Sequence, residues 1–357
     1  MPTDPAPVLM PALRIVVGCL IALLLAACGR VQLQPAGPPV QEPELRNAVA
    51  VMADGYRLPI HRWVQDRAPD TVVLGLHGFG DYGQAYAALE ATLVDTGWAA
   101  VYAYDQRGFG VTERLGVWAG GETLAADLHA VVALLRQRYP DARIVLVAES
   151  MGGAVTLRAL MNDPVPDVDG VILLAPAVWG TQTMPWYQRL SLAVMLRIAP
   201  GATFSGDAVA DLGIRPTDDP EVIEALRRDP MVQKEARVDT LHGVTELMTE
   251  VFDGPARFPV PTLLLYGLRD QVIPPGPVCE WLGRVPVTDL EPLRMVLYPD
   301  GYHMLTRYRG AEDPLTDIAA WLEDPAEVQR GIEVDLEQAR DRICALPARG
   351  LRERRRW

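Results

Sequence analysis

Residues 143–161 read RIVLVAESMGGAVTLRALM. An apolar run from Arg143 to Val147 leads into Ala148-Glu149-Ser150-Met151-Gly152-Gly153, and a segment of helical period follows. A short Val/Ile/Leu run is the pattern of a strand buried on both faces, and a helix directly behind it is the form of a parallel βα unit. The bend between them carries one serine, in the elbow arrangement that lifts a nucleophilic hydroxyl clear of a sheet. Gly152 and Gly153 let the helix approach the strand, and the helix N-terminus sets positive dipole beneath developing negative charge. The usual form is Gly-x-Ser-x-Gly; here Ala148 takes the first position. Ser150 is therefore the candidate nucleophile.

The same rhythm extends in both directions. Apolar runs recur at Thr71–Leu76, Trp98–Tyr104, Gly170–Leu174, Pro261–Tyr266 and Arg294–Tyr298. Helical segments lie between most of them, such as the one marked by Leu124, Leu128, Val131, Val132 and Leu135 and stopped by Pro140. An α/β fold follows, with a mostly parallel sheet covered by helices on both faces. Ala48–Val64 holds two extended stretches around Asp54-Gly55, a hairpin signal. Between Leu174 and Pro261 no strong strand occurs, so a helical cap is expected there as an insertion at about 177–258. Past residue 324, Val328, Ile332, Leu336, Ala339 and Ile343 mark a further amphipathic helix, and Arg349–Trp357 reads as a solvated, arginine-rich tail.

A serine nucleophile needs a base and a group that orients the base. His303 directly follows the last apolar run, and Asp270 directly follows the preceding one. Both fall at the carboxyl edge of the sheet, where open α/β folds place their chemistry. Asp253 and Asp300 are rival acids; the first precedes its strand and the second is very near His303 in sequence. His61, His129 and His242 read as packing or surface residues. After Thr71–Leu76 comes His77-Gly78-Phe79-Gly80-Asp81, placed to form an oxyanion loop in which the amides of Phe79 and Met151 bind the tetrahedral intermediate. Gly78–Gly83 also fits G-x-G-x-x-G, with Asp105 closing the next strand. A dinucleotide site would leave the Ser/Asp/His set unexplained and would sit oddly on an exported chain, so no cofactor is expected.

The 357 residues carry 33 basic and 46 acidic side chains, a formal charge of −13, which argues against nucleic acid as a partner. With 49% apolar residues there is material for a large core. Lys234 is the sole lysine, so Schiff-base chemistry and a phosphate-binding Gly-Lys-Ser/Thr loop have little to draw on. The start of the chain is an address. Arg14 precedes a short apolar run ending in Leu25-Ala26-Ala27-Cys28, too short to span a bilayer comfortably and broken by Gly29 and Arg30. Residues 1–27 read as a signal peptide, with Met10 an alternative start. Residues 28–46, rich in Pro and Gln, read as a tether of up to about 55 Å, and 47–324 as the folded domain. Cys279 and Cys344 either pair or stay as separate thiols, and their spacing from the five histidines matches no zinc pattern.

Leu25–Cys28 resembles the lipobox of bacterial lipoproteins, which implies acylation of Cys28 and, with Gly29 following, the periplasmic side of the outer membrane. The motifs of the body, HGFGD, AESMGG, YGLRD and GYHML, with Tyr104–Gly110 after the second parallel strand, resemble the monoacylglycerol lipase and lysophospholipase branch of the α/β-hydrolases, also called the serine aminopeptidase type. The order Ser, Asp, His along the chain fits that fold. The resemblance implies that Asp105 and Arg107 brace loops near the site and that the insertion is a cap over an acyl pocket. It implies an acyl-enzyme hydrolase of monoacyl lipid esters, working through Ser150, His303 and Asp270. A serine aminopeptidase, a general carboxylesterase and a non-catalytic ligand-binding lipoprotein are the alternatives. The apolar cap stretch containing Trp179, Trp186, Tyr187, Leu190, Val194, Met195, Leu196 and Phe204 would line an acyl channel or form the cap's own core.

Overall fold

A computed structural model describes residues 30–93, 97–206, 213–286 and 292–346. The expected signal peptide, Cys28 and the Arg349–Trp357 tail lie outside the described residues. The six apolar runs become β4 (Thr71–Leu76), β5 (Ala99–Tyr104), β6 (Arg143–Glu149), β7 (Gly170–Leu174), β10 (Thr262–Gly267) and β11 (Leu293–Tyr298), which pair in parallel. Their two-sided burial is the reason the runs are continuous rather than alternating. The hairpin at Asp54-Gly55 joins β2 (Val49–Val51) to β3 (Arg57–Trp63), and with β1 (Glu44–Arg46) these strands extend one edge in antiparallel fashion. With β12 (Ile332–Val334) at the far edge, the sheet order is β1-β2-β3-β5-β4-β6-β7-β10-β11-β12.

Helices α1 (Ala87–Leu93), α2 (Gly121–Arg138) and α3 (Met151–Leu160) follow β4, β5 and β6. The insertion holds α4 (Trp186–Ile198), a two-stranded ribbon of β8 (Thr203–Ser205) and β9 (Glu235–Arg237), α5 (Pro220–Arg228) and α6 (Val238–Asp253). Its expected end near 258 is too late. α6 buries Val244, Leu247, Val251 and Phe252 in the main core and packs on α3. The cap proper thus stops at Arg237, because a helix with so wide an apolar face belongs to the layer covering the sheet. Along most of α4 the apolar cap stretch does not form a cap core: Trp186, Tyr187, Leu190, Val194 and Ile198 are exposed, while Leu196 lines a cavity with Met184, Leu192 and Thr245.

Two further expectations need correction. The segment expected as a free tether is docked from Gln32 onward. The Gln32 amide donates to Asp239 Oδ2 at 3.0 Å and the Gln34 amide to Trp118 O at 2.9 Å, while the buried Gln34 carboxamide reaches Val117 O. Backbone hydrogen bonds and one glutamine hold this strap, and hydrophobic periodicity does not register such contacts. The single amphipathic helix expected from Val328 is also two elements. Ile332–Val334 forms β12, antiparallel to β11, and only Leu336–Cys344 is helical (α9). Asp317 turns the chain there, accepting the amides of Gln329, Arg330 and Gly331 at 2.7 to 2.8 Å. Cys279, on α7 (Pro275–Leu282), and Cys344 form a disulfide that fastens α9 to the body, while α8 (Glu312–Glu323) precedes β12.

Candidate active site

Ser150 takes φ 53° and ψ −114°, a conformation that L-residues adopt only when their surroundings enforce it. Three backbone bonds do so: Ser150 N–H to Leu174 O at 3.0 Å, and the amides of Ala177 and Ala154 to Ser150 O at 2.9 and 3.1 Å. Gly152 is dictated by the close passage of β4, since a Cβ there would lie 2.1 Å from Leu76 O. Ala148 departs from the usual glycine without harm. It lies inside β6, paired with Leu76 and Leu173, and its methyl packs in the core rather than in the turn.

Asp270 follows β10 and His303 follows β11, both at the carboxyl edge. His303 Nδ1–H donates to Asp270 Oδ2 at 2.7 Å, and Asp270 Oδ1 accepts the amides of Val272 and Ile273 at 2.8 and 3.0 Å. That leaves His303 Nε2 as the acceptor-type nitrogen. Burial alone would lower the proton affinity of His303, but the charge and hydrogen bond of Asp270 outweigh it, and Glu149 adds to the rise. No hydrogen bond joins Ser150 to His303 among the described residues; contacts of this type commonly tighten only with substrate. Their two loops meet through an ion pair, since Arg307, four residues past His303, lies 2.8 Å from the Glu149 that precedes Ser150.

The amides of Phe79 and Met151 have no hydrogen-bond acceptor among the described residues. A Cβ on Gly78 would stand 3.9 Å from Ser150 Oγ, so the His77–Asp81 loop runs directly past the nucleophile position. Two donors left unanswered beside a strained serine suit an oxyanion. The rival acids are engaged elsewhere: Asp253 binds Gln182 and Arg284 at the surface, and Asp300 binds Arg269. His242 pairs with Glu246 on the surface of α6, and His77 is buried with Nδ1 on Gly78 O and Nε2 on the Gln106 amide.

Asp105 and Arg107 brace the loops, as the resemblance implied. Asp105 takes His61 Nε2 and the Gly83 amide on Oδ1, both at 2.9 Å, and the Val111 amide on Oδ2 at 3.0 Å, leaving no room for a ribose. Arg107 grips Asp54 at 2.7 and 3.0 Å and Asp127 at 2.6 and 3.0 Å, with its guanidinium 4.2 Å over the Tyr56 ring. Burial pushes the Asp127 carboxyl up to about 6 against the pull of Arg107. At Asp54 the same burial is outweighed by Arg107 and the amides of Gly37 and Tyr56, which hold it at about 2.

Sequence reading assigned no role to Glu149, Asp81 or Arg307, which the fold brings together. Arg307 Nη1 lies 2.7 Å from Asp81 Oδ2 and Nη2 2.8 Å from Glu149 Oε2. A signal was present: Glu149 directly follows the apolar run Ile144–Ala148, and Arg307 stands soon after Met304-Leu305. Charges in such places require partners.

Residues 67–308 match the family described as serine aminopeptidase, S33. The monoglyceride lipase of Rattus norvegicus is 25% identical over 263 residues, covering 71% of this chain and 82% of that protein. Many solved structures share the fold, among them two lipases. The monoacylglycerol lipase of Paleococcus ferrophilus aligns with a TM-score of 0.59 at 23% identity, over 74% of this chain and 98% of that one. A soluble variant of monoglyceride lipase from Saccharomyces cerevisiae, in complex with a substrate analog, aligns with a TM-score of 0.63 at 21% identity, over 84% and 99%. These relatives are hydrolases, and the non-catalytic reading has no support among them. The chain belongs to the serine aminopeptidase, S33 family, has the α/β-hydrolase fold and is a serine hydrolase similar to the monoglyceride lipases.

Proposed function

We propose that this chain hydrolyses monoacyl lipid esters, of the monoacylglycerol or lysophospholipid type, through Ser150, His303 and Asp270. The observation that carries the reading is the 2.7 Å contact of His303 with Asp270 at the sheet edge that also presents the strained Ser150. Ser150 Oγ attacks the ester carbonyl while His303 Nε2 takes its proton, and Asp270 keeps the other ring nitrogen protonated and aligned. The oxyanion accepts from the amides of Phe79 and Met151, each worth roughly 3 kcal/mol of barrier. His303 then protonates the departing alcohol. Water, activated by the same imidazole, frees the fatty acid and restores Ser150.

Support for a lipid substrate comes from α4, whose exposed Trp186, Tyr187, Leu190, Val194 and Ile198 suit an apolar surface, and from the relatives named monoglyceride lipase. Acylation at Cys28 would keep the enzyme beside such substrates on the periplasmic face of the outer membrane. A fluorophosphonate probe should label the wild type and not Ser150→Ala. 1-Monooleoylglycerol and lysophosphatidylcholine should be cleaved in preference to p-nitrophenyl acetate and leucine p-nitroanilide. Turnover of the anilide alone would establish the aminopeptidase reading instead, and turnover of the short ester alone a general carboxylesterase. Radiolabelled palmitate should enter the wild type and be absent from Cys28→Ser; label in both variants refutes the anchor.

A further inference from the structure

Four segments supply the proposed chemistry, and one guanidinium ties three of them together. Asp81 closes the loop that carries the Phe79 amide. Glu149 immediately precedes Ser150. Arg307 lies one turn beyond His303. Arg307 joins them through Nη1 to Asp81 Oδ2 at 2.7 Å and Nη2 to Glu149 Oε2 at 2.8 Å, with side-chain exposures of 13%, 7% and 5% for Arg307, Asp81 and Glu149. We propose that Arg307 is a positioning residue, holding the oxyanion loop, the nucleophile elbow and the histidine loop in register. The proposal rests on the triad reading above.

Space-filling does not account for this cluster. A buried ion pair costs more desolvation than an apolar replacement of equal volume, so a purely structural role would be served as well by leucine or methionine. What arginine adds is a rigid planar fork that fixes two carboxylates at once, which lysine reproduces only in charge. The cluster is also unbalanced, with two carboxylates on one cation, and Glu149 Oε1 and Arg307 Nε have no partner among the described residues. Other groups hold the surroundings in place. Tyr86 OH shares its one proton between Leu76 O and Val147 O, at 2.6 and 2.7 Å, and Thr217 Oγ1 of the cap donates to Arg307 O at 2.7 Å. The histidine loop is therefore fastened on the cap side through its backbone and on the sheet side through Arg307.

The same arrangement tunes the base. The charged groups facing His303 are Asp270 and Glu149, which raise its proton affinity, and Arg307, which lowers it. Tyr86 is the remaining titratable group against Glu149 and Arg307, and burial keeps it protonated. Removing Arg307 or removing the Glu149 charge thus moves His303 in opposite directions, a split that no purely structural role produces.

The experiment uses the full-length protein with p-nitrophenyl butyrate, recording kcat, KM and the pH profile, with folding followed by circular dichroism and Ser150→Ala as the reference for the triad. Arg307→Met should lower kcat by about 100-fold, leave KM within about threefold, and move the acid limb of kcat/KM to higher pH. Arg307→Lys should restore the limb and only part of kcat. Glu149→Gln should move the limb to lower pH. Wild-type kcat and an unmoved limb in Arg307→Met, while Ser150→Ala is inactive, overturn the proposal and leave the triad standing. Full activity in Ser150→Ala overturns the triad and this proposal with it. If Arg307→Met does not fold, Arg307→Lys and Glu149→Gln decide: wild-type kcat in the first together with an unmoved limb in the second overturns the positioning role.

Discussion

His303 Nδ1 and Asp270 Oδ2 lie 2.7 Å apart across 33 residues of chain, both buried, with the other Asp270 oxygen tied down by two amides. The carboxylate therefore cannot rotate away from the ring. Asp270→Asn keeps the shape but can turn an NH2 toward Nδ1 and so favour the wrong imidazole tautomer. It should lower kcat by about 1,000- to 10,000-fold with a near-native melting temperature. A loss under tenfold would show that another acid orients His303.

The pH dependence follows from the same contact. The ordinary imidazole value is 6.5, and in the folded chain His303 is raised above it. Only neutral His303 can act as base, so kcat/KM should fall on acidification through a midpoint above 6.5. The sign for stability is opposite. A raised histidine stabilises the fold fully below its unfolded value and loses that contribution as pH climbs through the folded one, so activity appears where this contribution fades. In Asp270→Asn burial alone remains dominant, and a residual-activity profile should show the midpoint moved downward.

Gly152 and Gly276 offer a matched pair. A Cβ at Gly152 meets the Leu76 carbonyl at 2.1 Å, a backbone atom that cannot yield, whereas at Gly276 nothing lies within 4 Å. Gly152→Ala should abolish soluble, active protein. Gly276→Ala, in the first turn of α7, should keep full activity and gain up to about 1 kcal/mol in urea unfolding. Soluble, active Gly152→Ala would contradict the close approach of β4.

Arg107→Met removes the partner of two carboxylates, Asp54 and Asp127, whose side chains are 8% and 5% exposed. The expected loss is about 3 to 5 kcal/mol by denaturant titration at pH 7, because unpaired charge remains buried. Both acids would then bind protons more readily, so the deficit relative to wild type should shrink at pH 5. Equal deficits at the two pH values would assign the loss to packing.

Strands β4 to β7, β10 and β11 were legible because two-sided burial writes itself as unbroken apolar runs, and the candidates Ser150, Asp270 and His303 stand out because each lies just beyond the end of such a run. What escaped the sequence is held by other forces. The strap from Gln32 is bound by backbone amides and one carboxamide, contacts to which composition is blind. Val328 and Ile332 share a helical spacing by coincidence, while the Asp317 carboxylate gathers three amides and bends the chain into β12. Arg307 escaped because its partners are 158 residues away at Glu149 and farther still at Asp81, and no local pattern reports a pair of that separation.

The bond from Cys279 to Cys344, 65 residues apart, closes a loop that includes β11, His303 and Arg307. Closure on this scale limits the denatured ensemble by about 4 kcal/mol. It also alters what a protease can accomplish. Cleavage at the exposed Glu327 or Arg330 severs the backbone yet releases no fragment, and the nicked enzyme should migrate intact until a thiol reagent divides it.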